Sequence, residues 1–311
     1  MARQLIAGAA LCGWLLVGST TYAAELLEKF NLSQPASGVY VHAGRHFALD
    51  VPGHDDIANI GFIVGSRCVA VIDTGGSARI GQALRSAVRR TTALPICYVI
   101  NTHVHVDHVL GNAAFLEDKP SFVGNAALAA AMLRSRQLFV NEYGADFAGQ
   151  PSVDQVIGPD RLVENELTLD LGDRPLLLKA WPKAHTDCDL TVFDVRTATL
   201  WTGDLLFRER LPALDGSIKG WLSAIDELAR LKVTLAVPGH GGVTTNLAAA
   251  LEPERRYLQS VLEGVRRELA LGNSMQDAMD HVASAEKPRW LLWESAHQRN
   301  VARAYEELEW E

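Results

Sequence analysis

Four side chains with metal-binding chemistry fall within six positions of this chain: His103-Val104-His105-Val106-Asp107-His108, with Thr102 just before them. Imidazole nitrogens and carboxylate oxygens are what a borderline cation such as zinc takes from a protein. Three imidazoles and an acid crowded onto one short turn gain nothing unless they share a cation. The run follows directly on Ile96-Cys97-Tyr98-Val99-Ile100, a short apolar stretch that predicts a buried strand. The cluster is therefore expected in the loop beyond a strand's carboxyl end, where open α/β sheets carry their sites. A fold that delivers more ligands to the same edge is required, and a metal-dependent enzyme is the leading expectation.

Three further candidates stand after apolar runs. His185 lies in Ala184-His185-Thr186-Asp187, Asp204 in Trp201-Thr202-Gly203-Asp204, and His240 in Pro238-Gly239-His240-Gly241. Glycine at such strand ends lets backbones approach closely. Of the ten histidines, five are of this kind.

The rest of the chain supports a single domain. Strands are expected at 39–41, 59–64, 68–72, 96–100, 161–169, 176–180, 190–195, 199–201 and 233–237. Helices are expected at 79–90, irregularly over 123–150, at 220–231, and through most of the C-terminal third, notably 253–271 and 288–309. Strands with helices, then strands with helices again, predict two packed sheets covered by helices.

Residues 1–24 read as a secretory signal: Arg3 at the start, an apolar stretch from Leu5 to Val17, and Thr21-Tyr22-Ala23-Ala24 for cleavage after Ala23 or Ala24. The remaining domain would span 25–311, exported to a bacterial periplasm with no membrane anchor. The formal charge of −8 becomes one unit more negative without Arg3. An acidic surface does not suit nucleic acid, which needs clustered Lys and Arg, so a small-molecule substrate is expected. Loss of Cys12 leaves Cys68, Cys97 and Cys188, an odd number. Cys68 and Cys97 are read as small core residues; they would pair only if their strands are parallel neighbours.

The ordered set of H-x-H-x-D-H, His185, Gly203-Asp204 and Gly239-His240 resembles the metallo-β-lactamase fold hydrolases over about 38–245, and Val71-Ile72-Asp73-Thr74-Gly75 is similar to that superfamily's first motif. The resemblance implies an α+β fold, a four-layer αββα sandwich (the metallo-hydrolase/oxidoreductase fold), with the C-terminal helices as an extension. It implies two zinc ions per chain: His103, His105 and His185 for one, Asp107, His108 and His240 for the other, and Asp204 bridging them. Asp107 and Asp204 would organise the catalysis. Two such cations on the order of 3.5–4 Å apart can share a hydroxide and stabilise an oxyanion. Asp73 is expected to accept a histidine N–H, with Asp189 a weaker candidate for that role.

In the largest group of zinc β-lactamases the position matching Asp204 is a cysteine; Asp204 together with His108 is similar to glyoxalase II and related hydrolases instead. Asn101-Thr102-His103 with Gly111-Asn112-Ala113-Ala114-Phe115, and Asp204-Leu205-Leu206-Phe207 with Leu211-Pro212, Leu214-Asp215-Gly216-Ser217 and Gly220-Trp221, resemble the exported hydrolases encoded with quinoprotein dehydrogenases or sulfur-oxidation systems, the quinoprotein relay system zinc metallohydrolase type. The expected function is hydrolysis of an ester, thioester, lactone or amide by a metal-bridging hydroxide. The alternatives are a β-lactamase, a mononuclear iron persulfide dioxygenase, and a non-enzymatic partner of a periplasmic quinoprotein or sulfur-oxidation system.

Other residues are weighed against plainer readings. His54 is read as part of a solvated turn, with substrate contact the alternative. Lys183, Tyr143 and Arg208 are possible substrate contacts by their nearness to motif loops. Cys188 is read as a partly buried free thiol rather than a ligand. His42 and His46 are expected to be structural, His281 and His297 to lie on the surface, and Trp290-Leu291-Leu292-Trp293 to join the core.

Overall fold

The computed structural model describes residues 30–311, so the expected signal at 1–24 and its cleavage point lie outside the described residues. The apolar strands assemble into two sheets. The first runs in the order β1 (Ser33–Ala36), β2 (Val39–His42), β3 (Ile60–Val64), β4 (Val69–Ile72), β5 (Ile96–Ile100), β6 (Ser121–Asn125), β7 (Arg161–Val163). The second has β8 (Glu166–Asp170), β9 (Pro175–Ala180), β10 (Leu190–Asp194), β11 (Thr199–Phe207) and β12 (Leu235–His240), in the order β12-β11-β10-β9-β8. The helices are α1 (Ala78–Thr91), α2 (Val106–Val109), α3 (Ala126–Glu142), α4 (Ile218–Leu228), α5 (Leu247–Leu271), α6 (Met275–His281) and α7 (Trp293–Leu308).

Alternation along the strands builds the layers. Val39, Val41, Ile63, Ala70 and Ile72 of the first sheet meet Leu176, Leu178, Val192 and Trp201 of the second in one buried cluster. The other face of the first sheet, with Phe62, Val71 and Val99, packs against Ile80, Leu84 and Val88 of α1. The outer face of the second sheet buries Leu200 and Ala236 against Trp221 of α4, Leu258 of α5 and Val301 of α7. The result is the expected four-layer αββα arrangement.

Strands β4 and β5 are parallel neighbours, with Val69 opposite Ile96, and Cys68 and Cys97 form a disulfide. This overturns the reading of both as plain core residues: the condition for pairing is met. Cys188 is free and wholly buried rather than partly so.

Three other elements differ from expectation. Residues 121–125 form β6 rather than the start of a helix; Asn125 ends the strand and caps α3 by accepting from Ala127 N, so no turn residues separate the two. The stretch 161–169 is two strands, β7 and β8, one in each sheet, and the chain crosses between layers there. Residues 288–309 are broken at Leu292, whose φ of 57° is left-handed, before α7 begins.

Candidate metal centre

The seven candidate ligands converge on one edge of the sandwich. The run after β5 enters α2, so His103 and His105 precede that short helix while Asp107 and His108 lie within it. His185 stands between β9 and β10, and His240 ends β12. Asp204 is not in a loop after its strand, as expected, but inside β11, which continues to Phe207. The pairing of β11 with β12 shifts register around Gly203, whose φ is 52°, and this bulge aims Asp204 at the histidines. Gly239 faces Asp204 so closely that a Cβ there would lie 1.8 Å from Asp204 Oδ1. A larger residue would expel the carboxylate.

Ligand atoms of His103, His105, His185 and Asp204 lie within 4.8 Å of one another, and those of Asp107, His108 and His240 do likewise. Asp204 reaches both groups: Oδ1 is 3.2 Å from His108 Nε2, while Oδ2 is 3.2 Å from His240 Nε2, 3.5 Å from His185 Nε2 and 3.7 Å from His103 Nε2. Asp107 Oδ2 is 3.4 Å from His240 Nε2 and 3.5 Å from His108 Nε2.

Each imidazole spends one nitrogen on a fixed oxygen and turns the other inward. His108 Nδ1 donates to Asp73 Oδ2 at 2.8 Å. His103 Nδ1 donates to Thr102 Oγ1 at 3.0 Å, and that hydroxyl donates onward to Asp73 Oδ2 at 2.7 Å. His185 Nδ1 donates to Ala213 O at 2.6 Å, His240 Nδ1 to Ile57 O at 2.8 Å, and His105 Nε2 to Asp215 Oδ2 at 2.7 Å. These partners set the tautomers, so five lone pairs point at one another and at two carboxylates. His105 Nδ1 and His185 Nε2 stand 3.0 Å apart, a pair that is bonded only when His105 carries a second proton. His103 Nε2, His108 Nε2 and Asp204 Oδ1 are buried with no hydrogen-bond partner. Buried polar atoms are rarely left so; the donor set fits divalent cations of zinc's kind.

Burial makes the charged form costly for His185, pushing it down to about 3, and does the same to His103, helped by His108 beside it. Burial works against ionisation of Asp204 and Asp107, but the facing histidines outweigh it, and both carboxyls are held below the usual carboxylate range. Burial works against charge on His108 and His105 too, but Asp204, Asp107 and Asp73 around the first and Asp215 on the second outweigh it and raise both. Neutral imidazole and ionised carboxylate are the ligating forms, so a cation would take the place of those protons.

Asp73 takes the expected role, serving His108 directly and His103 through Thr102; its φ of 52° is left-handed for a non-glycine residue, strain kept at the site. Asp189 does not: it accepts from Thr186 N and Oγ1, and burial lifts its carboxyl to about 6. The acceptor for His105 is Asp215, which nothing in its local sequence marks out apart from the longer motif around it. Cys188 packs with Val106 and Leu128, and burial pushes its thiol up to about 12, so no thiolate faces the site.

His54 lies in a partly exposed turn, as expected, but its ring is held between Val51 O at 3.0 Å and Asp146 Oδ2 at 2.8 Å, with the Tyr143 ring 5.9 Å away. Tyr143 is half-buried within the field of Asp107. Arg208 is occupied elsewhere, donating to Gly242 O and Val243 O. Lys183 lines a cavity of about 360 Å³ that also includes His105, Asp215, Arg134 and Arg303. His42 is structural, bound to Asp56 at 2.7 Å, and His46 meets Glu209. His281 is exposed. His297, expected on the surface, is buried and stacked on Trp293.

Sequence reasoning also missed Arg210. It is 9% exposed, its Nε has no partner, and its Nη1 lies 3.5 Å from a His240 nitrogen that already donates elsewhere. Asp107 and Asp204 are the acids whose charge it feels.

Residues 54–240 match the family model described as the metallo-beta-lactamase superfamily. Among solved structures, a metallo-beta-lactamase from Pontibacter korlensis is 20% identical, with a TM-score of 0.57 over 74% of this chain and 98% of that one. The stereoselective inverting sec-alkylsulfatase Pisa1 from Pseudomonas sp. is 16% identical, with a TM-score of 0.65 over 92% of this chain and 51% of that one. At such identities the likeness is one of fold.

Proposed function

Because this chain belongs to the metallo-beta-lactamase superfamily, we propose that it is a dinuclear zinc hydrolase acting on an ester, thioester, lactone or amide. The observation that carries this reading is the set of inward-turned, otherwise unpartnered ligand atoms, divided into two groups with Asp204 reaching both. When bound, the two ions would supply Lewis acidity toward a carbonyl and a water with a pKa lowered to roughly 7. His103, His105 and His185 would hold one ion; Asp107, His108 and His240 the other. Asp204, ionised and fixed by the bulge at Gly203, keeps the two groups in register. Asp107 is placed to orient a water and accept its proton. Arg210 brings positive charge to the His240 side, where a carboxylate or a developing oxyanion would be balanced.

Elemental analysis of the purified protein should give about two zinc ions per chain, as a shared-water centre requires. Asp204→Ala should lose at least one of them and cut turnover in an ester, thioester and lactone panel by two orders of magnitude or more, the scale of losing a charge-stabilising group. Full activity with both ions tightly held in that variant would refute the bridging role.

Within the superfamily we place the chain beside the exported hydrolases associated with quinoprotein dehydrogenases or sulfur oxidation, on the motifs around Asn101 and Leu214. Export belongs to the same proposal. N-terminal sequencing of protein recovered from a periplasmic extract should begin at Ala24 or Glu25; a retained Met1 would oppose it.

A further inference from the structure

Two acceptors that orient the first ligand group sit two residues apart on one loop. Ala213 O holds His185 and Asp215 holds His105, and this stretch, 211–217, joins β11 to α4. It has no regular structure of its own. Backbone bonds tie it to the His185 loop, Asp215 N to His185 O at 3.0 Å and Ser217 N to Ala184 O at 2.8 Å, and α7 grips it from the other side.

Asn300, wholly buried, accepts from Leu214 N at 2.8 Å and donates to Pro212 O at 2.7 Å, so it grips the residues on both sides of Ala213. It also donates to the Tyr257 hydroxyl of α5 at 2.9 Å, which fixes the amide's orientation. Glu307 accepts from Ser217 Oγ at 2.7 Å and from Ile218 N at 2.8 Å. Between them Arg303 donates to Asp215 O at 3.2 Å. Positions 300, 303 and 307 fall at i, i+3 and i+7, one face of a helix. The second ligand group leans elsewhere: His108 on Asp73 after β4, His240 on Ile57 O. No hydrogen bond among the described residues joins either acceptor to α7. The family match ends at residue 240, so α7 lies beyond it.

We propose that α7 is a brace for the His105–His185 half of the metal centre, with Asn300 and Glu307 as positioning residues, so that the end of the chain sets the affinity for one ion and not for the other. Outer partners of ligating histidines commonly change metal affinity by about 10–100-fold. Here the effect passes through a loop and is confined to one side.

The inference rests on the dinuclear reading for its metal measurement and not for its spectroscopic one. Zinc titrated into metal-free full-length protein against a chromophoric chelator gives two dissociation constants, assigned with His105→Ala and His240→Ala as references. In Asn300→Ala, and more mildly in Glu307→Gln, the constant lost in His105→Ala should rise about tenfold or more, with the other unchanged within about twofold. Histidine ring N–H resonances of the metal-free protein supply the second readout: those of His105 and His185 should move or broaden in both variants, while those of His108 and His240 stay in place. Both constants weakening together, or neither, with all four ring signals moving or none, overturns the proposal. If wild-type protein binds fewer than two ions, the dinuclear reading falls and the ring signals alone decide the brace.

Discussion

A guanidinium buried without a paired carboxylate is costly to a fold, because the charge is desolvated with little in return. Arg210 is in that position. The two acids whose charge it feels, Asp107 and Asp204, are also the acids that face the histidines. An anionic group on the substrate would complete the pairing. Arg210→Met should therefore raise the KM for a negatively charged ester, such as a mono-4-nitrophenyl dicarboxylate, by about tenfold or more, the scale of a lost hydrogen bond to a charge. For neutral 4-nitrophenyl acetate it should change by less than about threefold, with zinc content unaltered. Equal losses on both esters would make Arg210 a structural residue. All seven ligand candidates were legible in the sequence because each combines a metal-binding side chain with an apolar run leading into it. Arg210 and Asp215 were not: their roles arise where loops from distant strands meet, and no local spacing encodes that meeting.

At the scale of elements, α7 shows what periodicity alone conceals. His297 falls on its buried stripe with Trp293 and Val301. Its Nε2 donates to Val282 O at 3.0 Å, and Tyr257 donates to its Nδ1 at 3.1 Å. Burial lowers it to about 4 from an ordinary 6.5. The folded protein then declines a proton that the unfolded chain accepts, so stability is full above about pH 6.5 and falls as pH drops toward 4. A shift of that size corresponds to about 3 kcal/mol. His297→Gln should flatten the fall in Tm between pH 6.5 and 4.5; an unchanged slope would rule this residue out as its source. The histidine was misplaced in the sequence because a polar residue on a helix reads as solvent-facing until a tryptophan, a tyrosine and a carbonyl are known to surround it. Strand β6 was missed for a related reason: the helical pattern expected from residue 123 runs over its end, yet Asn125 closes the strand and caps the next helix with no turn between.

For the whole molecule, the two layers of strands and their helical covers followed from hydrophobic patterning, and the sheet order then supplied what patterning lacks. Only the adjacency of β4 and β5 brings Cys68 to Cys97. The bond spans a separation of 29 residues, for which loop-closure entropy gives about 3.6 kcal/mol. A Cys68→Ala/Cys97→Ala double variant should unfold at lower denaturant than the oxidised protein by that amount. Unfolded oxidised protein without its first 24 residues should titrate a single thiol; three thiols there would mean the bond does not form.

The carboxylate of Asp73 serves one histidine from each ligand group, His108 directly and His103 through a threonine hydroxyl. Asp73 is the outer partner that the two groups hold in common, while His185, His240 and His105 lean on separate acceptors. Losing it would disturb both groups at once, whereas losing the Asp215 carboxylate would disturb His105 alone. The left-handed backbone at Asp73 is thus kept at the one residue on which both halves of the site rest, a residue that is itself outside either ligand group.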